Sequence, residues 1–274
     1  MSKSKTWIVL AFVTLAAGAL VAVGCGGDDD DGGGGEPILI KEGQLLVATD
    51  TPFPPFEIGQ PPDNFTGYDP GVFNEIAKRI DLPVEYQDTS FDTIFRDTAQ
   101  GKFDAAVAAS TITDGRERTV DFSDPYYRAN QALTVTTDSD IKSTDDLGGK
   151  TVGAQDATTG EAFAQDETDA AEVRGYPEGP DALTALRNGQ VDAVIIDEPV
   201  AEDAIEKFGD VKITQIPTGE LYGFAFAENN DALREQVNEA LAEMKDDGTL
   251  DKLYEKYFKT KPPSEVSDGT HEPS

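Results

Sequence analysis

Cysteine and histidine are almost absent from this sequence. With Cys25 the only cysteine, no disulfide can close within the chain and no cysteine-based zinc site can form. The one histidine, His271, lies in a polar C-terminal stretch, which removes the histidine-based triads and metal sites of many enzymes. Positive charge is also scarce: 22 Lys and Arg stand against 53 Asp and Glu, a formal net charge of −31. Nucleic acid is thereby excluded as a partner, because phosphate backbones need a basic footprint. An anionic lipid surface would repel the chain as well. The acidity reads first as a solubility adaptation, suited to a salty habitat where counter-ions screen self-repulsion. Attraction of cationic ligands by this field is the weaker reading, since salt screens long-range steering. What is present suffices for a folded body: 274 residues, 38% of them hydrophobic, can build one large domain or two modest ones.

The long apolar run, Trp7 to Val23, sits behind Lys3 and Lys5 and ends at Gly24-Cys25. A charged start, an apolar run and a small residue at the cut are the parts of a secretory leader. The run is near the lower limit for a membrane span. Ala22-Val23-Gly24-Cys25 resembles a bacterial lipobox, although Ala22 stands where a larger aliphatic residue is usual. The alternative is an uncleaved anchor helix; in both cases the rest of the chain faces outward on a tether. The expectation is a signal peptide over 1–24, a lipidated Cys25, and a flexible acidic, glycine-rich linker over 25–40. Such a linker spans roughly 20 Å. Residues 261–274 are polar and should fray as a disordered tail.

Between these ends, short strands alternate with helices. Gln44 to Thr49 reads as a strand ending at Asp50. Val72, Phe73, Ile76, Ala77 and Ile80 recur at helical spacing until Pro83. Ser90 is placed to cap a helix carrying Phe91, Ile94 and Phe95, with Gly101 past its end. Ala105 to Ala109 reads as a buried strand. The plan repeats: Gly101-Lys102-Phe103-Asp104-Ala105-Ala106-Val107 is echoed by Gly189-Gln190-Val191-Asp192-Ala193-Val194-Ile195. Alternation of this kind implies mostly parallel sheets flanked by helices, and the repeat implies two similar α/β lobes. Ligands of such sheets sit beyond the carboxyl ends of the strands, so two lobes would face each other across a cleft. The stretches near 130–136 and 221–227 read as extended crossings between them.

Several segments then carry a specific resemblance. Leu46-Val47-Ala48-Thr49-Asp50-Thr51-Pro52-Phe53-Pro54-Pro55-Phe56-Glu57 looks like the opening strand of the polar amino-acid solute-binding proteins of ABC importers. Gly67-Tyr68-Asp69 fits their next motif. Thr111-Ile112-Thr113-Asp114-Gly115-Arg116 is similar to their Ser/Thr-Ile-Thr-x-x-Arg signature. Val120-Asp121-Phe122-Ser123-Asp124-Pro125-Tyr126-Tyr127, Asp145 to Gly153 and Asp246-Asp247-Gly248-Thr249-Leu250 follow in order. The resemblance spans residues 43–260. It implies a periplasmic binding protein-like type II fold, with lobe 1 from 41–130 plus 224–260 and lobe 2 from 131–223. It also implies a monomer that takes an amino acid without a cofactor, touches the membrane only through its lipid anchor, and docks on permease subunits.

The same resemblance distributes roles. Arg116 offers a planar fork to the ligand carboxylate, and Thr111 adds a hydroxyl. Thr159, at a helix start that favours anions, supplies a contact from the other lobe. Asp197 matches the acid that meets the ammonium. Phe53 and Phe91 match rings that flank the ligand side chain. Asp50 and Gln155 match positions at the side-chain end, where an acid favours basic amino acids or glutamine over glutamate or aspartate. Ala109 and Ala157 depart from the family in replacing glycines and alter the pocket's shape. Taken without the motifs, each of these residues has an ordinary alternative: a surface Arg, a helix cap, a strand-end acid, core rings. Two other classes stay open: a dehydratase on the same scaffold, which needs a positioned general acid, and a ligand sensor serving a separate receptor.

Overall fold

The computed structural model describes residues 35–263 and Val266. The expected leader, Cys25, linker residues 25–34 and nearly all of the tail lie outside the described residues.

Among the described residues, ten strands and seven α-helices follow one another, with one short 3-10 turn at Thr144–Leu147. The first sheet is built from β1 (Leu45–Thr49), β2 (Val84–Asp88), β3 (Ala105–Ala106), β4 (Asp121–Phe122) and β10 (Ala225–Phe226). The second contains β5 (Tyr127–Thr136), β6 (Thr151–Gln155), β7 (Glu172–Tyr176), β8 (Ala193–Asp197) and β9 (Val211–Tyr222). Their strand orders, β2-β1-β3-β10-β4 and β7-β6-β8-β5-β9, are the same arrangement used twice. Each has a parallel core, and in each a single strand runs against the others: β10 in the first, β5 in the second. These are the strands that arrive from the other lobe.

The sequence repeat has a structural cause. Helices α2 (Phe91–Ala99) and α4 (Gly179–Arg187) end on Gly101 and Gly189, at φ 71° and 69°, a left-handed turn that glycine adopts without a Cβ clash. The aspartate three residues on then fixes the neighbouring strand. Asp104 Oδ2 accepts the Leu46 amide at 2.7 Å, and Asp192 Oδ2 accepts the Thr151 amide at 2.8 Å. The strand expected over 105–109 is shorter than its apolar run, because Ala109 turns away with φ 41°. Ser90 occupies the N-cap of α2 with extended backbone, but its side chain makes no capping bond.

α1 (Tyr68–Arg79) buries Val72, Phe73, Ile76 and Ala77, the periodic face of the sequence. α6 (Asp231–Asp246) and α7 (Thr249–Phe258) return to it: Arg79 bonds Asp247 at 2.7 Å, and Gly71 lies against Leu253 and Tyr257. α3 (Thr159–Asp166) and α5 (Glu198–Phe208) complete the second lobe.

Two segment boundaries differ from expectation. Residues 38–40 do not belong to a free linker. Asn230 accepts the Ile38 amide at 3.0 Å and donates to its carbonyl at 2.8 Å, while Asp104 Oδ1 accepts the Ile40 amide at 2.9 Å. The second sheet also begins at Tyr127, not at 131, because Tyr127 already pairs with Tyr222. The crossings are therefore short. They are bonded to each other through Ser123 N to Phe224 O at 2.8 Å and Tyr126 N to Tyr222 O at 3.0 Å. The Tyr126 and Phe224 rings stack at 4.1 Å with planes 7° apart, so the hinge is clamped by side chains as well as backbone.

Candidate ligand cleft between two lobes

Every residue expected at the site ends up on one cavity. Asp50 follows β1, Phe53 lies in the next turn, and Phe91 opens α2. Ala109 and Thr111 follow β3, with Arg116 in the turn beyond. Gln155 ends β6, Thr159 opens α3, and Asp197 ends β8. Together with Ala108 and Thr158 they line one small cavity. The cavity lies beyond the carboxyl ends of strands from both sheets, as open α/β sheets favour.

At one end stands Arg116. Its Nη1 donates to the Thr111 carbonyl at 2.7 Å and its Nη2 to the Ala157 carbonyl across the cleft at 3.2 Å. The guanidinium lies over Phe91 and Phe95, 5.0 and 4.6 Å from the ring centres. These contacts fix the plane of the fork. Burial pulls Arg116 down to about 10, with Glu220 and Asp197 acting against it, so it keeps its charge at neutral pH.

Facing Arg116 is a polar network. The Gln131 amide donates to Asp197 Oδ1 at 2.6 Å and to Glu220 Oε1 at 3.1 Å. Glu220 Oε2 accepts both Thr111 and Thr159 hydroxyls at 2.7 Å, one from each lobe. Burial lifts Asp197 to about 8, reinforced by negative Glu220 and opposed by Tyr222, Gln131 and Arg116. α3 starts tightly against this network. Thr158 caps it by accepting the Glu161 amide at 3.1 Å, and a Cβ on Gly160 would lie 2.9 Å from Gln131 Oε1 and 3.1 Å from the Ile195 carbonyl.

The opposite end is acidic and apolar. Gln155 Nε2 donates across the cleft to Asp50 Oδ2 at 2.6 Å. Burial lifts Asp50 to about 7, opposed by that hydrogen bond and reinforced by Asp88. Phe53 closes against α4, where a Cβ on Gly179 would come within 2.8 Å of its ring.

Ala109 and Ala157, read from sequence as replacing glycines, have φ 41° and 61°, the left-handed region that costs an L-residue about 1–2 kcal/mol. Carboxylates hold both in place. Buried Asp69 accepts the Ala109 amide at 2.8 Å, and Glu161 accepts the Ala157 amide at 2.8 Å. With its amide held by Glu161, Ala157 presents its carbonyl to Arg116 across the cleft.

Ala108, Gln131, Glu220 and Tyr222 were not read from the sequence as site residues, and Thr158 was read only within the helix opening Thr158-Thr159-Gly160. Thr158 had a signal, a capping position before Gly160. Gln131 had another, a polar residue that is 1% exposed in the apolar run of β5. Glu220 had none, since in sequence it resembles the many other acids of this acidic chain. Among the described residues no group of His, Cys, Asp or Glu is arranged to hold a metal ion, and no helix is long and apolar enough to cross a membrane.

Two α/β lobes joined by paired crossings, with charged groups from both lobes converging on the cavity between them, define a bilobal binding protein. The comparisons agree. Residues 45–260 match the bacterial extracellular solute-binding proteins, family 3. The L-cystine-binding protein TcyA of Bacillus subtilis is 34% identical over 266 residues, covering 93% of this chain and 97% of that protein. Among solved structures, an ancestral arginine-binding protein bound to arginine superposes with a TM-score of 0.75 at 39% identity, covering 79% of this chain and 98% of the other. An ancestral amino acid-binding protein, a precursor of cyclohexadienyl dehydratase, does so with a TM-score of 0.74 at 36% identity, covering 79% and 96%. The chain belongs to family 3 of the bacterial extracellular solute-binding proteins, and its place of work is outside the cytoplasm.

Proposed function

We propose that the protein is the substrate-binding component of an ABC importer, that it captures a basic amino acid or glutamine in this cleft, and that it hands the ligand to permease subunits. The observation that carries the reading is that Arg116, Asp197 and Glu220 come together at one end of a cavity whose other end is acidic. A free amino acid presents a carboxylate and an ammonium side by side, and these groups offer one partner of each sign. Arg116 and Thr111 take the carboxylate with the start of α3 at Thr159; Asp197 takes the ammonium. Phe53 and Phe91 flank the side chain, with Asp50 and Gln155 at its end. Ligand contacts from both lobes favour the closed arrangement over an open one, since a ligand shifts an equilibrium by its difference in affinity. A relative named for L-cystine binding belongs to the same family; here an acidic far end favours a cation over cystine's second carboxylate.

The mature protein is held at the cell membrane by a lipid on Cys25 after removal of 1–24, and it works as a monomer. Labelling with a radioactive fatty acid should mark the wild type and not Cys25→Ser. For the ligand, calorimetric titration with the common amino acids should give one-to-one binding that Arg116→Ala abolishes.

A dehydratase is the second reading. Asp197, lifted to about 8, holds a proton beside a carboxylate-binding Arg, as a general acid would. Saturable turnover of prephenate or arogenate would favour it over binding alone.

A further inference from the structure

Two hydroxyls reach the cavity, and both are already engaged. Thr111 lies beyond β3 in the first lobe and Thr159 opens α3 in the second; both line the cavity beside Asp197. Each hydroxyl bonds the same atom, Glu220 Oε2, at 2.7 Å. A carboxylate oxygen can only accept, and a hydroxyl has one hydrogen to give. The hydrogens of Thr111 and Thr159 are therefore spent on Glu220, and what these hydroxyls have left for the cavity is lone pairs. Thr159 Oγ1 also accepts the Gln131 amide at 3.3 Å, which leaves it one. The other Glu220 oxygen accepts the same amide at 3.1 Å. Glu220 is not among the residues that line the cavity. It stands behind them on β9 and acts on the cavity through the atoms it bonds.

We propose that Glu220 is a positioning residue: by holding the hydrogens of Thr111 and Thr159 it turns both hydroxyls into acceptors for the α-ammonium of an amino acid. This deepens the proposed amino-acid site and rests on it. An ammonium has three donors and no acceptor. Asp197 takes one of them, and the two hydroxyl oxygens, polarised by the carboxylate behind them, take the other two. The ligand carboxylate is then met by Arg116 and by backbone N–H groups of Thr111 and of the start of α3. A hydroxyl whose hydrogen is committed elsewhere offers a carboxylate only lone pairs, so Glu220 also sets which way round the ligand lies.

The state of Asp197 adds to this division. Burial, reinforced by negative Glu220, lifts Asp197 to about 8, so the ligand-free protein keeps a proton there near neutral pH. Negative charge at this end then comes from Glu220 and is relayed to the ligand through the two hydroxyls. Because every free amino acid has an α-ammonium, the effect of Glu220 is the same for all side chains.

The test is calorimetric titration of the ligand-stripped, full-length protein in detergent with arginine and with glutamine. Wild type is compared with Glu220→Gln, with Thr111→Val/Thr159→Val, with the three changes combined, and with Arg116→Ala, each checked for folding by its melting curve. In Glu220→Gln the new amide oxygen can keep the Gln131 bond, which leaves its NH2 to donate to both hydroxyls and turn their hydrogens toward the cavity. Arginine and glutamine should both weaken by about tenfold or more, by the same factor. The loss should shrink to within about twofold in protein without the two hydroxyls. Tighter binding in Glu220→Gln would put the hydroxyls on the carboxylate and overturn the proposal. A loss of the same size without the hydroxyls would mean that Glu220 acts by charge or by folding alone, and would overturn it too. So would a loss confined to one amino acid, or no change while Arg116→Ala is silent. If the hydroxyl-free protein is silent, the sign of the change in Glu220→Gln and its equality between arginine and glutamine decide. Each of these failures leaves the amino-acid site standing; a wild type that binds no amino acid would overturn both.

Discussion

The two ends of the cleft are built in opposite ways. Around Arg116, the polar groups are largely tied to one another: Gln131 links Asp197 with Glu220, and Glu220 accepts a hydroxyl from each lobe. Around Asp50, a carboxylate oxygen has no partner, and the neighbouring acids repel. A pre-wired end suits the part that every free amino acid shares, because its charged groups are already held close to where they are needed. An end short of positive charge suits the part that differs, because the ligand must bring what is missing. Recognition of the class and selection within the class thus occupy different residues of one cavity.

Removing the shared end should do the most damage. Arg116→Ala is expected to weaken every amino-acid ligand by about a thousandfold, in line with 2–5 kcal/mol for truncating a buried charge partner. Equilibrium dialysis with labelled ligand measures this, and a loss confined to one amino acid would erase the division of labour. Asp197→Asn should cost about a hundredfold, again for all ligands, read by the same assay.

Both ends contain carboxyl groups raised by burial, and they should share a pH signature. Asp50 and Asp197 bind protons more tightly when folded than when unfolded, where both titrate near 3.8. Their contribution to stability is thus complete below that value and is lost as pH rises through about 7 to 8. The melting temperature of the ligand-free protein should fall by about 5 °C between mildly acid and mildly alkaline buffer. The net charge of −31 pushes in the same direction, so the discriminating result is a flatter curve for Asp197→Asn. A melting temperature that rises over this range would contradict the assignment.

Gly179→Ala should act on closure rather than on either end. Its Cβ would press on Phe53 and Ile196, and a loss of about fivefold, equal for all ligands, is expected from such overpacking. The smallest effect is at Ala157. Glycine there relieves a left-handed backbone, and stability in urea should rise by about 1 kcal/mol with ligand choice unchanged.

Much of this was legible in the chain, and for a definite reason. Residues such as Asp50, Gln155 and Asp197 sit at the carboxyl ends of apolar strands, and a strand end is visible as the point where an apolar run meets a polar residue. The repeat around Asp104 and Asp192 was visible because each aspartate performs the same bond to a neighbouring strand. The acid that matters only when the lobes meet was not visible. Glu220 lies within the long polar strand β9. Nothing local separates it from the many solvated acids of this protein; it is set apart only by its bond to Thr111 of the other lobe. The expected end of the linker at 40 failed for a similar reason, since Asn230, far away in sequence, holds Ile38.

The central claim is that this cleft binds a basic amino acid between Arg116 and the acidic far end. Its most direct test is titration calorimetry of the ligand-stripped, folded protein with the common amino acids. The account predicts one-to-one binding that is tightest for arginine. No heat from any amino acid, with the protein still folded, would contradict it.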